Sequence, residues 1–194
     1  MMTVDLHFGR SLMNKVDKSK YNNTWYKPGP IWKRLLWQWT SAMFFQNGFF
    51  PFNGFKSTIL KIFGAKIGRN LTIKPNVTIK YPWLLEVGDY VGIGEQVWID
   101  NLAKVKIDNQ VTISQGAYLL TGNHDFNTST FDLIIKEITL EAGVWVGARV
   151  VICPGVTCKS HSVIGVGSVV TNDTLPYSIY FGSPAKKIKE RRIN

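Results

Sequence analysis

Between residues 67 and 170 the chain repeats itself in steps of six. Ile67, Ile73, Ile79 and Leu85 open the series, Val87, Ile93, Ile99 and Val105 continue it, and Ile107, Ile113 and Leu119 follow. After a break the phase resumes at Leu140, Val146, Ile152, Cys158, Ile164 and Val170. The residue after each aliphatic is often small or acidic, as at Gly68, Glu86, Gly94 and Asp108, and four positions on stands another small or branched one such as Val77, Val97, Ala117 or Ser168. A period of six fits neither a helix nor a simple alternating strand. It is the signature of a β-solenoid in which each hexad makes one short strand and one turn of a triangular coil. The expected fold class is therefore an all-β parallel solenoid, set over residues 61–178. The phase slips by two residues at Leu85–Val87 and again at Val105–Ile107. The first coils are thus expected to hold three hexads plus two residues, with swollen corners at Pro82-Trp83 and Leu102-Ala103. Residues 121–139 leave the repeat altogether and are expected to form an extruded surface loop, often the binding face of a solenoid.

What precedes the repeat has a different composition. Trp25, Trp32, Trp37 and Trp39 are followed by Phe44, Phe45, Phe49, Phe50, Phe52 and Phe55. Ile31, Leu35, Leu36 and Trp39 recur at helical spacing behind Pro28-Gly29-Pro30, which predicts a helix over about 31–46 and a short second one over about 53–63. Residues 1–60 thus read as a polar segment followed by an aromatic helical cap. The open end of a solenoid exposes a strand edge and an apolar core, so a cap is required there. The same aromatics beside basic neighbours also suit a membrane-interface anchor, and the two roles are compatible. Residues 35–55 are uncharged, but Gln38, Gln46, Asn47 and Asn53 interrupt them and Gly48, Pro51 and Gly54 break them, so a surface-lying or core-packed segment fits better than a span. No secretory signal is expected, because the polar start lacks an apolar stretch before a cleavage site. The expected location is the cytoplasm, with peripheral contact at the inner face of the membrane.

The net charge of +10 is uneven. Residues 1–60 hold eight basic and two acidic residues, and the tail from Lys186 to Asn194 holds five basic and one acidic. Basic ends suit phosphates or acidic lipid surfaces. No nucleic-acid fold signature accompanies them, so nucleic acid is not an expected partner. Cys153 and Cys158 fall inside the repeat without metal spacing and read as small core and turn residues.

Only His7, His124 and His161 are available for proton transfer. His124 opens the extruded loop, where a neutral imidazole could serve as general base or simply be an exposed loop residue. His161 sits at the fourth position of its hexad, a turn, and is expected to be solvated. His7 lies in the polar start. A metal hydrolase on this architecture wants about three histidines around one ion. Neither His7 nor His161 is placed near His124 by the repeat, so no metal is expected.

The motif Thr121-Gly122-Asn123-His124-Asp125 is followed in order by Gly143-Val-Trp-Val-Gly-Ala148, Pro154-Gly155-Val156, Ile164-Gly-Val-Gly-Ser-Val-Val170 and Gly182-Ser-Pro-Ala-Lys186. Together these resemble the hexapeptide-repeat acyltransferases of the xenobiotic, maltose and galactoside acetyltransferase type. Phe63-Gly-Ala-Lys-Ile-Gly68 and Tyr81-Pro-Trp83 make the chain most similar to the colanic acid (exopolysaccharide) biosynthesis acetyltransferase subgroup. The resemblance covers about residues 58–192. It implies a left-handed β-helix, a homotrimer with sites between subunits, acetyl-CoA as co-substrate and a saccharide acceptor. It further implies His124 as catalytic base, with the Ala148 N–H facing the thioester oxygen beside Gly147 and Trp145. Val166 and Gly167 would lie along the pantetheine arm, Thr171 and Asn172 further on, and Lys186 and Lys189 at the nucleotide phosphates. Many relatives carry Lys where Asn172 stands. Asp100 and Asn101 match a region that meets the acceptor, although an Asp-Asn pair also makes an ordinary turn. Asp125 adjoins the base, where it would orient the imidazole or meet the acceptor, although adjacent side chains often diverge. The basic residues at 179–194 read as a tail, with Arg191 and Arg192 also consistent with a solvated end. The implied activity is O-acetylation of a sugar hydroxyl in surface polysaccharide assembly. N-acetylation of a nucleotide-linked amino sugar and a non-catalytic membrane-associated scaffold are the alternatives.

Overall fold

Strands of two or three residues, each followed by a turn, lay every coil on the one before it. A computed structural model describes residues 15–48, 50 and 52–194. His7, Phe49 and Pro51 lie outside the described residues. Three parallel faces result. One is built from strands 66–67, 85–87, 105–107, 138–140 and 157–158. The second contains 72–73, 92–93, 112–113, 145–146, 163–164 and 178–182, and the third 78–79, 98–100, 118–120, 151–152 and 169–170. Lys66 pairs with Glu86, 20 positions on, and Leu85 with Val105, so the early coils carry the two surplus residues. Past the insertion the spacing drops, Thr139 meeting Thr157 and Lys159 reaching Glu141 at a separation of 18. The swollen corner at Leu102-Ala103 is held by Tyr26, whose hydroxyl donates to the Leu102 carbonyl at 2.9 Å.

The sixfold aliphatics form the core. Ile73, Ile93, Ile113, Val146 and Ile164 stack in register down the second face, all buried. The turns after the first-face and second-face strands each place one residue in the left-handed region, and Asn70, Asn76 and Gly116 there are types that tolerate it. His161 occupies such a corner (φ 58°) yet is only half-exposed: its ring stacks flat on Tyr177 at 4.7 Å. The solvated position expected of it is therefore only partly met.

Two helices, α1 (Ile31–Phe44) and α2 (Asn53–Ile62), close the first coil. The open strand edge needs partners for its backbone groups. Asn53 Oδ1 accepts from the Ile73 N–H at 2.9 Å. Trp37 Nε1 donates to the Ile79 carbonyl at 2.8 Å, and the Lys56 ammonium, fully buried, donates to the Ile73 carbonyl at 3.3 Å. Burial pushes the Lys56 pKa down, and that carbonyl is its hydrogen-bonding compensation. Trp37, 3% exposed, packs edge-on against Phe45 and Phe63 at 5.3 and 5.1 Å. Trp37→Ala should therefore lower the unfolding free energy by ~3–5 kcal/mol, read as a drop in the urea midpoint.

Two segments differ from their sequence reading. The insertion is an antiparallel β-hairpin, Gly122–His124 with Leu133–Ile135, and the coil resumes at Ile138 rather than Leu140. The basic end is also no loose tail. Ser178–Gly182 extends the second face and Ala185–Glu190 folds back antiparallel on it. Arg191 is docked, donating from Nη1 to the carbonyls of Gly143 and His161 at 2.9 and 3.1 Å. Cys158 is fully buried, and desolvation pushes its thiol up to about 12. Both cysteines are free.

Candidate active site

The hairpin is rooted by Thr121. This fully buried residue donates from Oγ1 to the Asp100 carbonyl at 2.8 Å and accepts from the Ala103 N–H at 3.0 Å. Its own carbonyl takes the Lys136 N–H at 2.9 Å, which closes the hairpin at its base. Three residues beyond Thr121, His124 Nδ1 lies 2.9 Å from the Phe131 carbonyl oxygen across the hairpin. A carbonyl can only accept, so Nδ1 carries hydrogen in this contact and the neutral ring keeps its lone pair on Nε2. Phe131, at φ 55°, aims that carbonyl and also stacks its ring on the imidazole at 4.5 Å and 10°. Two turns of chemistry therefore come from Phe131, which carried no sequence signal of its own.

A second contribution comes from the N-terminal segment. Asp17 N–H donates to the Ser129 carbonyl at 2.8 Å and ties residues 17–21 to the hairpin. This brings the Tyr21 ring to 5.8 Å from that of His124 and the Lys18 ammonium over Phe131 at 5.1 Å. Lys18, Tyr21, His124 and Phe131 line an open cleft of about 250 Å³. In sequence, residues 1–24 read only as a loose polar segment, because no periodicity or motif marks them.

Asp125 does not orient the base. Its Oδ1 accepts from the Asn127 N–H at 2.9 Å, so the carboxylate faces the hairpin tip and the Phe131 carbonyl holds the imidazole instead. Asn101 also departs from the acceptor role implied for it. It is fully buried, and its amide bridges to the Tyr81 backbone, accepting from N–H at 2.9 Å and donating to the carbonyl at 2.6 Å. Burial in this contact keeps the side chain out of reach of a saccharide. Asp100, almost buried, pairs with Lys80 at 2.9 Å and accepts from the Tyr118 hydroxyl at 3.2 Å. Burial, then the nearby Asp100 charge, push the Tyr118 phenol up to about 12, so it stays a donor at neutral pH.

The other group of residues lies at a different corner. Trp145, 49% exposed on the second face, donates from Nε1 to Ser114 Oγ at 3.0 Å, which fixes its ring plane. Gly147 is buried, and a Cβ there would sit 2.6 Å from the Ile164 carbonyl oxygen, so no larger residue fits without moving the backbone. The Ala148 carbonyl accepts from the Gly167 N–H at 2.9 Å, whereas its N–H meets no acceptor among the described residues. Val166 holds the same rung position one coil on, and it too has a free N–H among them. Pro75 stands at this position in the first coil and Pro154 at the matching position of another corner. Proline has no N–H to offer, so the position is one where the fold does not need that donor. Thr171 and Asn172 are exposed at the start of the next coil, Asn172 Nδ2 donating to Thr171 Oγ1 at 3.1 Å. Lys186 and Lys189 are exposed on the last strand, opposite Phe181 and Ile179.

Topology separates the two groups. The hairpin leaves the solenoid between the third and first faces, after Leu120, whereas Ala148 and Val166 turn the corner between the second and third. Among the described residues, no group of three His, Cys, Asp or Glu is close enough to hold a metal.

A parallel solenoid with an extruded histidine hairpin and a glycine-bounded corner defines a class, and comparison places the chain within it. No protein-family model matches the chain. It is 34% identical over 166 residues to WcaF of Escherichia coli K12, assigned to colanic acid biosynthesis as an acetyltransferase, across 86% of this chain and 91% of that one. It is 30% identical over 138 residues to the galactoside O-acetyltransferase of the same organism, across 70% and 68% of the two chains. Among solved structures, a galactoside acetyltransferase in complex with coenzyme A superposes with a TM-score of 0.74 at 28% identity, over 82% of this chain and 81% of that one. A hexapeptide-repeat acetyltransferase of Vibrio cholerae shares the fold with a TM-score of 0.75 at 22% identity, over 83% and 92%. The chain belongs to the hexapeptide-repeat acetyltransferases, in the subgroup that contains WcaF. Its solenoid is the left-handed β-helix of that family.

Proposed function

We propose that this acetyltransferase moves an acetyl group from acetyl-CoA to a saccharide hydroxyl, in the assembly of an exopolysaccharide or another surface polysaccharide. The observation that carries the reading is the His124–Phe131 contact. It holds the imidazole in the tautomer that a general base requires, on an element that stands out from the coil. In the proposed reaction Nε2 takes the acceptor hydroxyl proton, and the oxygen attacks the thioester carbonyl. The tetrahedral oxyanion meets the Ala148 N–H. Its collapse releases the CoA thiolate, which takes the proton back from the imidazolium, leaving the acetyl ester and the free thiol. Trp145 flanks the acyl group, Val166 and Gly167 carry the pantetheine arm, and Thr171 and Asn172 extend that path. Asp100 offers the acceptor a carboxylate edge. A reaction that draws on acetyl-CoA belongs to the cytoplasmic side of the membrane.

The separation of His124 and Ala148 onto two corners supports a site completed by a neighbouring copy, and so the trimer. Light scattering should then give about three chain masses.

The acceptor is identified by incubating the purified protein with acetyl-CoA and a panel of saccharides, read by thiol release and mass shift. Acetylation of a nucleotide-linked amino sugar at nitrogen, with every hydroxyl acceptor inert, would replace the O-acetyl reading. Absence of any acetyl transfer across the panel would favour the scaffold. Lys186 and Lys189 are placed at the nucleotide phosphates. Replacing both with Ala should raise the KM for acetyl-CoA and move kcat less, since such contacts serve ground and transition states alike. The effect should shrink with a shortened thioester that lacks the nucleotide.

A further inference from the structure

The helix α1 is apolar on two sides, and only one of them is covered. Trp37 and Phe44 turn toward the first coil, with Ser41 buried between them. Trp32, Leu36, Trp39 and Met43, spaced by three or four residues, form the opposite stripe and are all exposed, Trp39 to 74%. A soluble helix ordinarily carries charge on its outer face. Here Lys33 and Arg34 are the only charged residues in the helix, and neither lies in the stripe: both are half-buried toward the first coil, Lys33 over the Trp83 ring at 4.6 Å and Arg34 beside Trp37 and Tyr81. The neighbouring α2 continues the pattern, with Phe55 exposed and Ile62 exposed to 76%.

Charge says what such a face can meet. From residue 18 to residue 85 the chain has eleven Lys and Arg and no Asp or Glu. This run comprises both helices and the first coil, the whole N-terminal end of the solenoid. Several of these cations are neutralised by later coils, as Lys66 is by Glu86 and Arg69 by Asp89. Lys27, Lys61 and Lys74 are exposed and have no anionic partner among the described residues. A second copy of the chain would bring the same cations against this face and be repelled. Phosphate-bearing headgroups would be attracted, and Trp rings among Lys are the residues that settle at a headgroup boundary. No described helix is long and apolar enough to cross a membrane, α1 having 14 residues and α2 10. The face is suited to lie along a bilayer instead of entering it.

We propose that the outer face of α1 and α2 is a docking surface for an anionic phospholipid bilayer, with the apolar stripe at the acyl boundary and the unpaired lysines at the headgroups.

The test is co-sedimentation of the full chain with vesicles of phosphatidylcholine alone or with phosphatidylglycerol added. Binding should require phosphatidylglycerol and should weaken as salt rises. The combined change Trp32→Ser, Leu36→Ser and Trp39→Ser should reduce partitioning on the order of tenfold or more. Thiol release with a soluble acceptor should stay as it was, since no residue of the reaction is touched. Lys27→Glu with Lys61→Glu and Lys74→Glu alters no apolar contact and should abolish the phosphatidylglycerol preference, which keeps the question open to decision should the serine variant fail to fold. The proposal is overturned if the intact chain does not sediment with phosphatidylglycerol vesicles, or if the lysine variant binds them like the parent. It is overturned also if the serine variant changes the particle mass while vesicle binding persists, because the face would then join copies of the chain. Sedimentation involves no acyl transfer, so this inference and the enzymatic reading fail separately.

Discussion

His124→Ala should lose on the order of 10² to 10⁴ in turnover, the usual worth of a positioned proton acceptor. The fold and acetyl-CoA affinity should survive, because the residue stands on the hairpin and no core position changes. His161→Ala is the matched control: its ring packs on Tyr177 at a corner of the solenoid, away from the hairpin, and turnover should stay near that of the parent. Turnover of His124→Ala close to the parent's on the true acceptor would remove both the base and the direct transfer. The Phe131 contact adds a finer expectation. The carbonyl that orients the imidazole belongs to the backbone, so side-chain changes at Phe131 should disturb the stacking more than the tautomer.

Ala148→Pro should lower turnover by about 10²–10³, the cost of removing one oxyanion donor. Proline deletes the N–H and little else. Pro75 and Pro154 already occupy the equivalent rung position, which shows that this coil geometry accepts the ring. The Ala148 carbonyl would still receive the Gly167 N–H. Circular dichroism and the thermal midpoint should accordingly stay near the parent, and acetyl-CoA should bind within a few-fold of it. A fully active proline variant would mean that the oxyanion finds its donor elsewhere.

The solenoid is legible because its core obeys one rule repeated many times. An aliphatic at every sixth position faces inward whatever the corners do, so even the two-residue slips at Leu85–Val87 and Val105–Ile107 can be read and match the observed pairing of Lys66 with Glu86. The helices are legible for the same reason, through a different period. Which tryptophan of α1 is buried was not, since Trp32, Trp37 and Trp39 sit in a helix that is apolar on both sides. Only the contacts to Ile79, Phe45 and Phe63 single out Trp37. The hairpin was legible as an interruption but not as paired strands, because Asn123 and His124 lack alternation and their pairing with Leu133 and Ile134 is set by the root at Thr121. Tyr21 carries no local signal at all: it reaches His124 through a backbone bond from Asp17 to Ser129, a long-range contact that no window of sequence contains. The basic end read as a tail because Lys186, Lys187 and Lys189 lie on a strand exposed on both sides, where no buried face imposes a pattern.

The helices and the C-terminal strand pair close opposite ends of one stack. Six strands from residue 72 to residue 182 lie side by side along the second face. At ~4.8 Å per step they set the two ends about 24 Å apart, near three Debye lengths in physiological salt. Charges at one end therefore exert almost no pull on what binds at the other. An acidic surface held at the helical end would leave a polyanionic nucleotide free to come and go at the lysine-bearing end, and neither encounter would compete with the other for the protein's positive charge. The stack works as an insulator as much as a scaffold, and its length sets how well it does so.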